Sequence, residues 1–277
     1  MLPLVQGDND VSTPARRSPS ALLSGFASRF TLSLNPWSIA LFLIALIVAL
    51  PILVVLGHIV MPTEGVWQHL ASTVLPRYLS NTFWLVLWVG LGTLVIGTGT
   101  AWLVVMCRFP GKRLFEWALL LPLAVPTYVI AYAYTDFLQV AGPLQSLLRE
   151  WFHWQVGDYY FPNVRSLGGA ATLITFVLYP YVYLLARASF LEQSVCVLDV
   201  GRTLGRGPWR LFASVALPLA RPALVGGVSL VLMETLNEFG AVQFFGVDTF
   251  TTGIYRTWFG LGEPIAAAQL AACLLTF

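Results

Sequence analysis

The residues able to do chemistry in this chain are few and scattered. Glu234 and Glu238 are the most unusual by placement. They stand four apart in an otherwise apolar stretch, a spacing that puts both on one face of a helix. A charge at membrane depth costs at least about 2.5–3.5 kcal/mol. A pair kept there, with Asn237 between them, points to a polar path or its outer gate. The alternative is that the acids lie at headgroup level and contact water. Cys107, Cys196 and Cys273 are far apart and form no CxxC pair, so neither a disulfide framework nor a zinc site is expected. They read as small buried hydrophobes. His153 has no partner at metal-ligand spacing. There is no GxxxxGK loop, no nucleophile elbow and no HExxH. Gly90, Gly92, Gly97 and Gly99 are no phosphate loop, since no lysine follows; small residues there let helices approach closely within a membrane. The chain is expected to be no enzyme, to hold no metal and to bind no cofactor itself.

The elements that must position these residues are set by solvent. The chain is 57% hydrophobic and 10% charged, with a mean hydropathy of +0.77. A soluble domain carries about a quarter charged residues. The net charge of +2 suggests no nucleic-acid partner. Residues 1–35 are polar and rich in Ser, Pro and Arg, and read as a disordered cytoplasmic tail. Arg16-Arg17 superficially matches a twin-arginine export signal, but no apolar run follows directly. Six apolar segments follow within 36–277: Trp37 to Met61, Leu79 to Cys107, Trp117 to Tyr134, Leu167 to Ala186, Pro222 to Phe245, and Ile265 to Phe277. A helix needs about 20 residues to cross the apolar core of a bilayer. The first five meet or approach that length. The sixth spans about 20 Å at about 1.5 Å per residue. The expectation is therefore a front part of a longer protein, or a truncated product.

Basic residues orient the spans. With the N-terminus in the cytoplasm, Arg16, Arg17, Arg29, Arg108, Lys112, Arg113, Arg187, Arg202, Arg206, Arg210 and Arg221 lie inside. Only Arg77, Arg149, Arg165 and Arg256 lie outside.

The cytoplasmic loop 187–221 is the most informative segment. Val197, Gly201 and Leu204 fall on one helical face, and Asp199 and Arg202 can pair on another. Gly205 and Gly207 supply a helix stop. Pro208 can begin a second helix carrying Trp209, Leu211 and Phe212. Two short helices with a glycine elbow are expected. They suit either a partner's groove or the headgroup layer.

This loop resembles the coupling motif of ABC importer permeases: Glu-Ala-Ala, three residues, Gly, nine residues, Ile-x-Leu-Pro. Here it reads Asp199-Val200-Gly201, three residues including Arg202 and Leu204, Gly205, nine residues, then Val215-Ala216-Leu217-Pro218. Every spacing is kept; Asp replaces Glu, Val-Gly replaces Ala-Ala, and Val replaces Ile. The resemblance implies an all-α polytopic membrane protein of the MetI-like, type I importer fold, with about six transmembrane helices, in the bacterial inner membrane. It implies four kinds of partner: cytoplasmic ATPase subunits that bind the ATP, a second permease half, a periplasmic substrate-binding protein, and the bilayer. Asp199 to Gly205 with Val215, Leu217 and Pro218 would contact the ATPase.

A second stretch, Glu234-Thr235-Leu236-Asn237-Glu238-Phe239-Gly240 on to Thr252-Gly253-Ile254-Tyr255, is similar to the N-terminal half of ferric-iron permeases. Those resemble thiamine and phosphonate permeases and fuse two halves in one chain. This implies ferric iron uptake, with thiamine, phosphonate or an inorganic anion as alternatives, and a second half either fused or separate. A secondary transporter is the reading from a different class; it would usually show acids or histidines in several spans.

Overall fold

The computed structural model describes residues 35–62, 65–193, 203, 205 and 207–276, and all regular structure among them is helical. Residues up to Val54 form one unit and residues from Val55 onward another. The first helix, α1 (Pro36–Gly57), has no charged residue and is long enough to cross a bilayer.

In the second unit, α2 (Val66–Thr73) leads into α3 (Leu75–Met106), whose start carries proline where a missing N–H costs nothing. The body is built on α3, α7 (Leu167–Glu192) and α8 (Pro208–Asn237). Glycine lets α3 meet α7 nearly backbone to backbone. A Cβ on Gly97 would lie 2.7 Å from Val182 Cβ and 2.9 Å from the Tyr179 carbonyl oxygen; one on Gly92 would lie 2.7 Å from Thr175 Cγ2. Gly90 faces Leu232 of α8. Gly99 faces open space, so only three of the four glycines serve close packing. The contacts advance together along α3 and α7, so these helices run in the same direction. Val89, Val182 and Val231 are fully buried between the three helices. Thr93, Thr175 and Thr235 each donate to the carbonyl four residues earlier, which satisfies hydroxyls inside an apolar body.

The third apolar segment differs from the single helix expected over Trp117 to Tyr134. The chain forms α4 (Lys112–Ala118), a 3₁₀ turn (Leu121–Ala124) and α5 (Thr127–Leu138), with a bend of 99° at the break. Pro126 is the cause: it excludes the helical region for the residue before it, and Val125 is extended at φ −118°, ψ 130°. After α6 (Pro143–Phe152) the chain returns to α7, whose first turn is capped by the Ser166 hydroxyl accepting from Gly169 N.

The fifth segment also differs. Pro208 starts a helix, as expected, but not a short one. It is the first turn of α8, which runs 30 residues to Asn237. Pro218 has no N–H to continue an ordinary ladder. The helix passes it through a π turn at Phe212–Ala216, where Leu217 N–H reaches the Phe212 carbonyl. At the far end the helix stops at Glu238, which is extended (φ −67°, ψ 120°), well before Phe245. Short helices follow: α9 (Gly240–Phe245), ended by Gly246 at φ 69°, then α10 (Phe250–Tyr255) with a Thr249–Thr252 capping box, and a π turn at Arg256–Gly260. The last helix, α11 (Pro264–Thr276), packs Ala266 and Leu270 against Leu70 of α2.

Among the described residues, four helices are long and apolar enough to cross a membrane, or five if the bent pair counts as one span; α11 has 13 residues. The chain is thus a multi-pass integral membrane protein.

Candidate functional site: the coupling junction and the acidic helix end

Of the residues expected to meet an ATPase, Asp199, Val200, Gly201, Arg202 and Leu204 lie outside the described residues. Gly205 is described. Its φ is +72°, the left-handed region expected of a helix-stop glycine, and no atom lies within 4 Å of where a Cβ would stand. Pro208, Trp209 and Arg210 are exposed, with Trp209 at 74% of its surface. Val215, Leu217 and Pro218 are half-buried on the π turn and the helix just beyond it.

This junction is welded to the body by aromatic rings. Trp102, near the end of α3, lies 4.8 Å from Phe212 and 5.6 Å from Phe190 near the end of α7, centroid to centroid. Trp102 and Phe190 are buried. Gln193, just past α7, donates its amide to the Ala216 carbonyl at 3.0 Å, inside the π turn. Beside them Arg187 pairs with Glu116 of α4 at 3.5 Å, and Tyr183 donates its hydroxyl to the Glu116 carbonyl. Three helices therefore end together where the loop 187–221 begins and closes. Sequence reasoning picked out Phe212 but not Trp102, Phe190 or Gln193. The available signal was that all four bound the polar ends of apolar runs.

The acids separate. Glu234 is exposed on α8, and Asn237 is the last helical residue, also exposed. Glu238 is not on the same helical face as Glu234, because it has left the helix. The shared-face expectation assumed a helix continuous to Phe245; the chain turns at Glu238 instead. Its carboxylate accepts the Ala241 N–H at 2.9 Å, serving the open start of α9, and its carbonyl accepts the Thr251 hydroxyl at 2.8 Å. Close by in sequence, Asp248 gathers two arginines: Arg77 of α3 at 3.6 Å, and Arg256 in direct contact. The Asp248 carbonyl accepts the Asn81 amide at 2.9 Å. Sequence reasoning missed this cluster, since its members come from distant elements.

His153 is the cap residue of α6, in the left-handed region at φ 54°. Cys107 and Cys273 are half-buried rather than fully buried, and Cys196 lies outside the described residues.

Comparison with known proteins places this architecture. The family described as binding-protein-dependent transport system inner membrane component matches residues 93–277. The chain is 34% identical over 183 residues to the molybdenum transport system permease protein ModB of Escherichia coli (strain K12), covering 66% of this chain and 73% of that protein. It is 28% identical over 242 residues to the Fe(3+)-transport system permease protein FbpB 2 of Haemophilus influenzae, covering 86% of this chain and 43% of that one. Among solved structures, the inward-facing MetNI methionine ABC transporter shares the fold at a TM-score of 0.57 and 18% identity, over 73% of this chain and 88% of that one. The bacterial alginate ABC transporter, solved with an alginate pentasaccharide-bound periplasmic protein, does so at 0.63 and 14%, over 93% and 90%. The aromatic junction and α3 from Thr93 onward, with every element after it, fall inside the matched region, and this chain belongs to the family of binding-protein-dependent transport system inner membrane components, the permeases of ABC importers.

Proposed function

We propose that the chain forms half of the substrate path of an ATP-driven importer, with its N-terminus in the cytoplasm of a bacterium and its spans in the inner membrane. ATP is bound and hydrolysed by separate subunits that grip the loop 187–221. A periplasmic binding protein delivers substrate to the opposite face, and a second permease half completes the path. The observation that carries this reading is α8. A single helix of 30 residues, about 45 Å at about 1.5 Å per residue, joins the end of the coupling motif to Asn237 and the acidic end. A pull on the loop reaches the outer side along one continuous helix, past the π turn at Phe212–Ala216 and Pro222. Glu234, Asn237 and Glu238 would line the outer part of the path.

The substrate is read as ferric iron, supported by the similarity to FbpB 2 over 86% of this chain. A molybdenum oxyanion is the second reading, favoured by the higher identity to ModB. ATP-dependent uptake of radioactive iron and molybdenum into inside-in vesicles, with and without the cognate binding protein, decides between them. Uptake without ATP would sink both and point to a secondary transporter.

Coupling itself is tested at Gly205. A β-branched side chain at φ +72° is strained. Gly205→Val should insert normally, yet lose the ATPase on co-purification or fail to turn hydrolysis into uptake. Wild-type behaviour in both would make the loop a membrane-surface helix only.

A further inference from the structure

Two cavities adjoin on the α5–α7 side of the body. The first, about 840 Å³, is walled mainly by apolar side chains, including Leu121, Ile130, Leu138 and Phe176. It follows α7 from Gly168 to Val177, about 14 Å of helix at about 1.5 Å per residue. The second, about 640 Å³, is the more polar of the two, with Gln139, Asn163 and Arg165 on its wall beside Val140, Val156 and Phe161. Phe161 to Val164 form a wall of both.

Two observations mark the polar cavity as built for a ligand. Thr135, on its wall, is 2% exposed, and its hydroxyl has no hydrogen-bond partner. Thr93, Thr175 and Thr235 bond back to their own helices, whereas Thr98 on α3 and Thr135 on α5 leave their hydroxyls without a partner, and of these two only Thr135 lines either cavity. Arg165 is exposed, its guanidinium 5.1 Å above the Phe244 ring, and it is in none of the ion pairs among the described residues. It sits two residues before α7 begins, at the level where a span enters the headgroup layer.

We propose that the paired cavities hold one anionic phospholipid. An acyl chain fills the apolar cavity along α7. The phosphate faces Arg165, whose planar fork suits a phosphate better than an ammonium would, with the Asn163 amide beside it; the Gln139 amide is engaged by the Asp136 carboxylate at 3.0 Å. A free phosphate-like anion would meet the same polar groups. The lipid is favoured because the polar cavity shares a wall with an apolar one at membrane depth, which a small anion leaves empty. This site does not depend on the transport reading, and either can fail alone.

The test is native mass spectrometry of the full chain in its purified membrane complex, equilibrated with phosphatidylglycerol or with phosphatidylcholine. The expected result is one phosphatidylglycerol retained per chain, at least about fivefold over phosphatidylcholine. Arg165→Gln should abolish that preference. Thr172→Trp, which projects a ring from the apolar wall, should remove both lipids, and Leu121→Trp on the facing wall should do the same. Size-exclusion elution checks that each variant is folded. Sodium phosphate should not displace the lipid. Equal lipid retention in wild type and folded variants overturns the proposal. So does displacement by phosphate with no response to the two tryptophans, which would assign the site to a free anion.

Discussion

The rings of Trp102 and Phe212 lie 4.8 Å apart, tilted by 53°, and join the end of α3 to the first turns of α8. Phe212 opens the π turn, and Trp209, one turn earlier, is exposed. One side of this short segment is thus free for a partner while the other is locked into the body. Trp102→Ala removes a side chain that is 8% exposed. It should destabilise the protein by about 3–5 kcal/mol in reversible SDS unfolding. Trp102→Phe, which keeps a ring, should recover most of that. If the junction transmits force, Trp102→Phe should also lower the uptake obtained per ATP hydrolysed. Unchanged coupling in a folded Trp102→Phe variant would reduce the cluster to packing.

Gly97 and Gly99 make a paired test of helix approach. The Cβ of Gly97→Ala would sit 2.7 Å from Val182 Cβ and 2.9 Å from the Tyr179 oxygen, and backbone cannot yield cheaply. Overpacking of this kind costs about 1–3 kcal/mol. Gly99→Ala meets nothing within 4 Å, and alanine in a helix interior gains about 0.5–1 kcal/mol over glycine. Melting of the two detergent-solubilised variants should move in opposite directions. A shift of the same sign and size would mean that α3 and α7 do not meet at Gly97.

Glu238 tests the acidic helix end. Glu238→Gln keeps an oxygen for the Ala241 N–H, whereas Glu238→Ala removes it. Loss of such a cap costs about 1 kcal/mol. The alanine variant should therefore be the less stable of the two. A charge on the path would also show as uptake reduced severalfold in Glu238→Gln at unchanged assembly. Wild-type uptake by the Glu234→Gln, Glu238→Gln double variant would leave both acids a structural role only.

Orientation is open to single-cysteine labelling in a background with Cys107, Cys196 and Cys273 replaced. Cysteines at Arg113 and Thr203 should react with a membrane-impermeant maleimide only from the cytoplasmic side. One at Tyr160, which is 92% exposed, should react only from outside. Labelling of Thr203 from outside would end the coupling-loop reading.

Membrane residence, the apolar runs and the positive φ of Gly205 were legible from the chain alone. Each depends on local chemistry: apolar side chains in sequence must leave water, and glycine takes a positive φ where other residues are strained. The coupling motif is carried by the sequence alone, as a spacing of small residues and proline, and its stretch from Asp199 to Leu204 lies outside the described residues except for Thr203. The proline at 126 announced a break that a reading by hydropathy alone passed over, because hydropathy counts Val125 and Pro126 as part of one apolar run. Other features needed the tertiary structure. Whether Pro218 ends a helix or is carried through a π turn depends on what holds the turn from outside, here Gln193 and the ring of Trp102. Whether Glu238 continues the face of Glu234 depends on α9 offering its free N–H to the carboxylate. Gly97 and Gly99 look alike in the sequence, and only the position of Val182 distinguishes them. Local sequence sets the conformations a segment can adopt at low cost; the choice among them falls to contacts with residues far away in the chain, whose position no local pattern encodes.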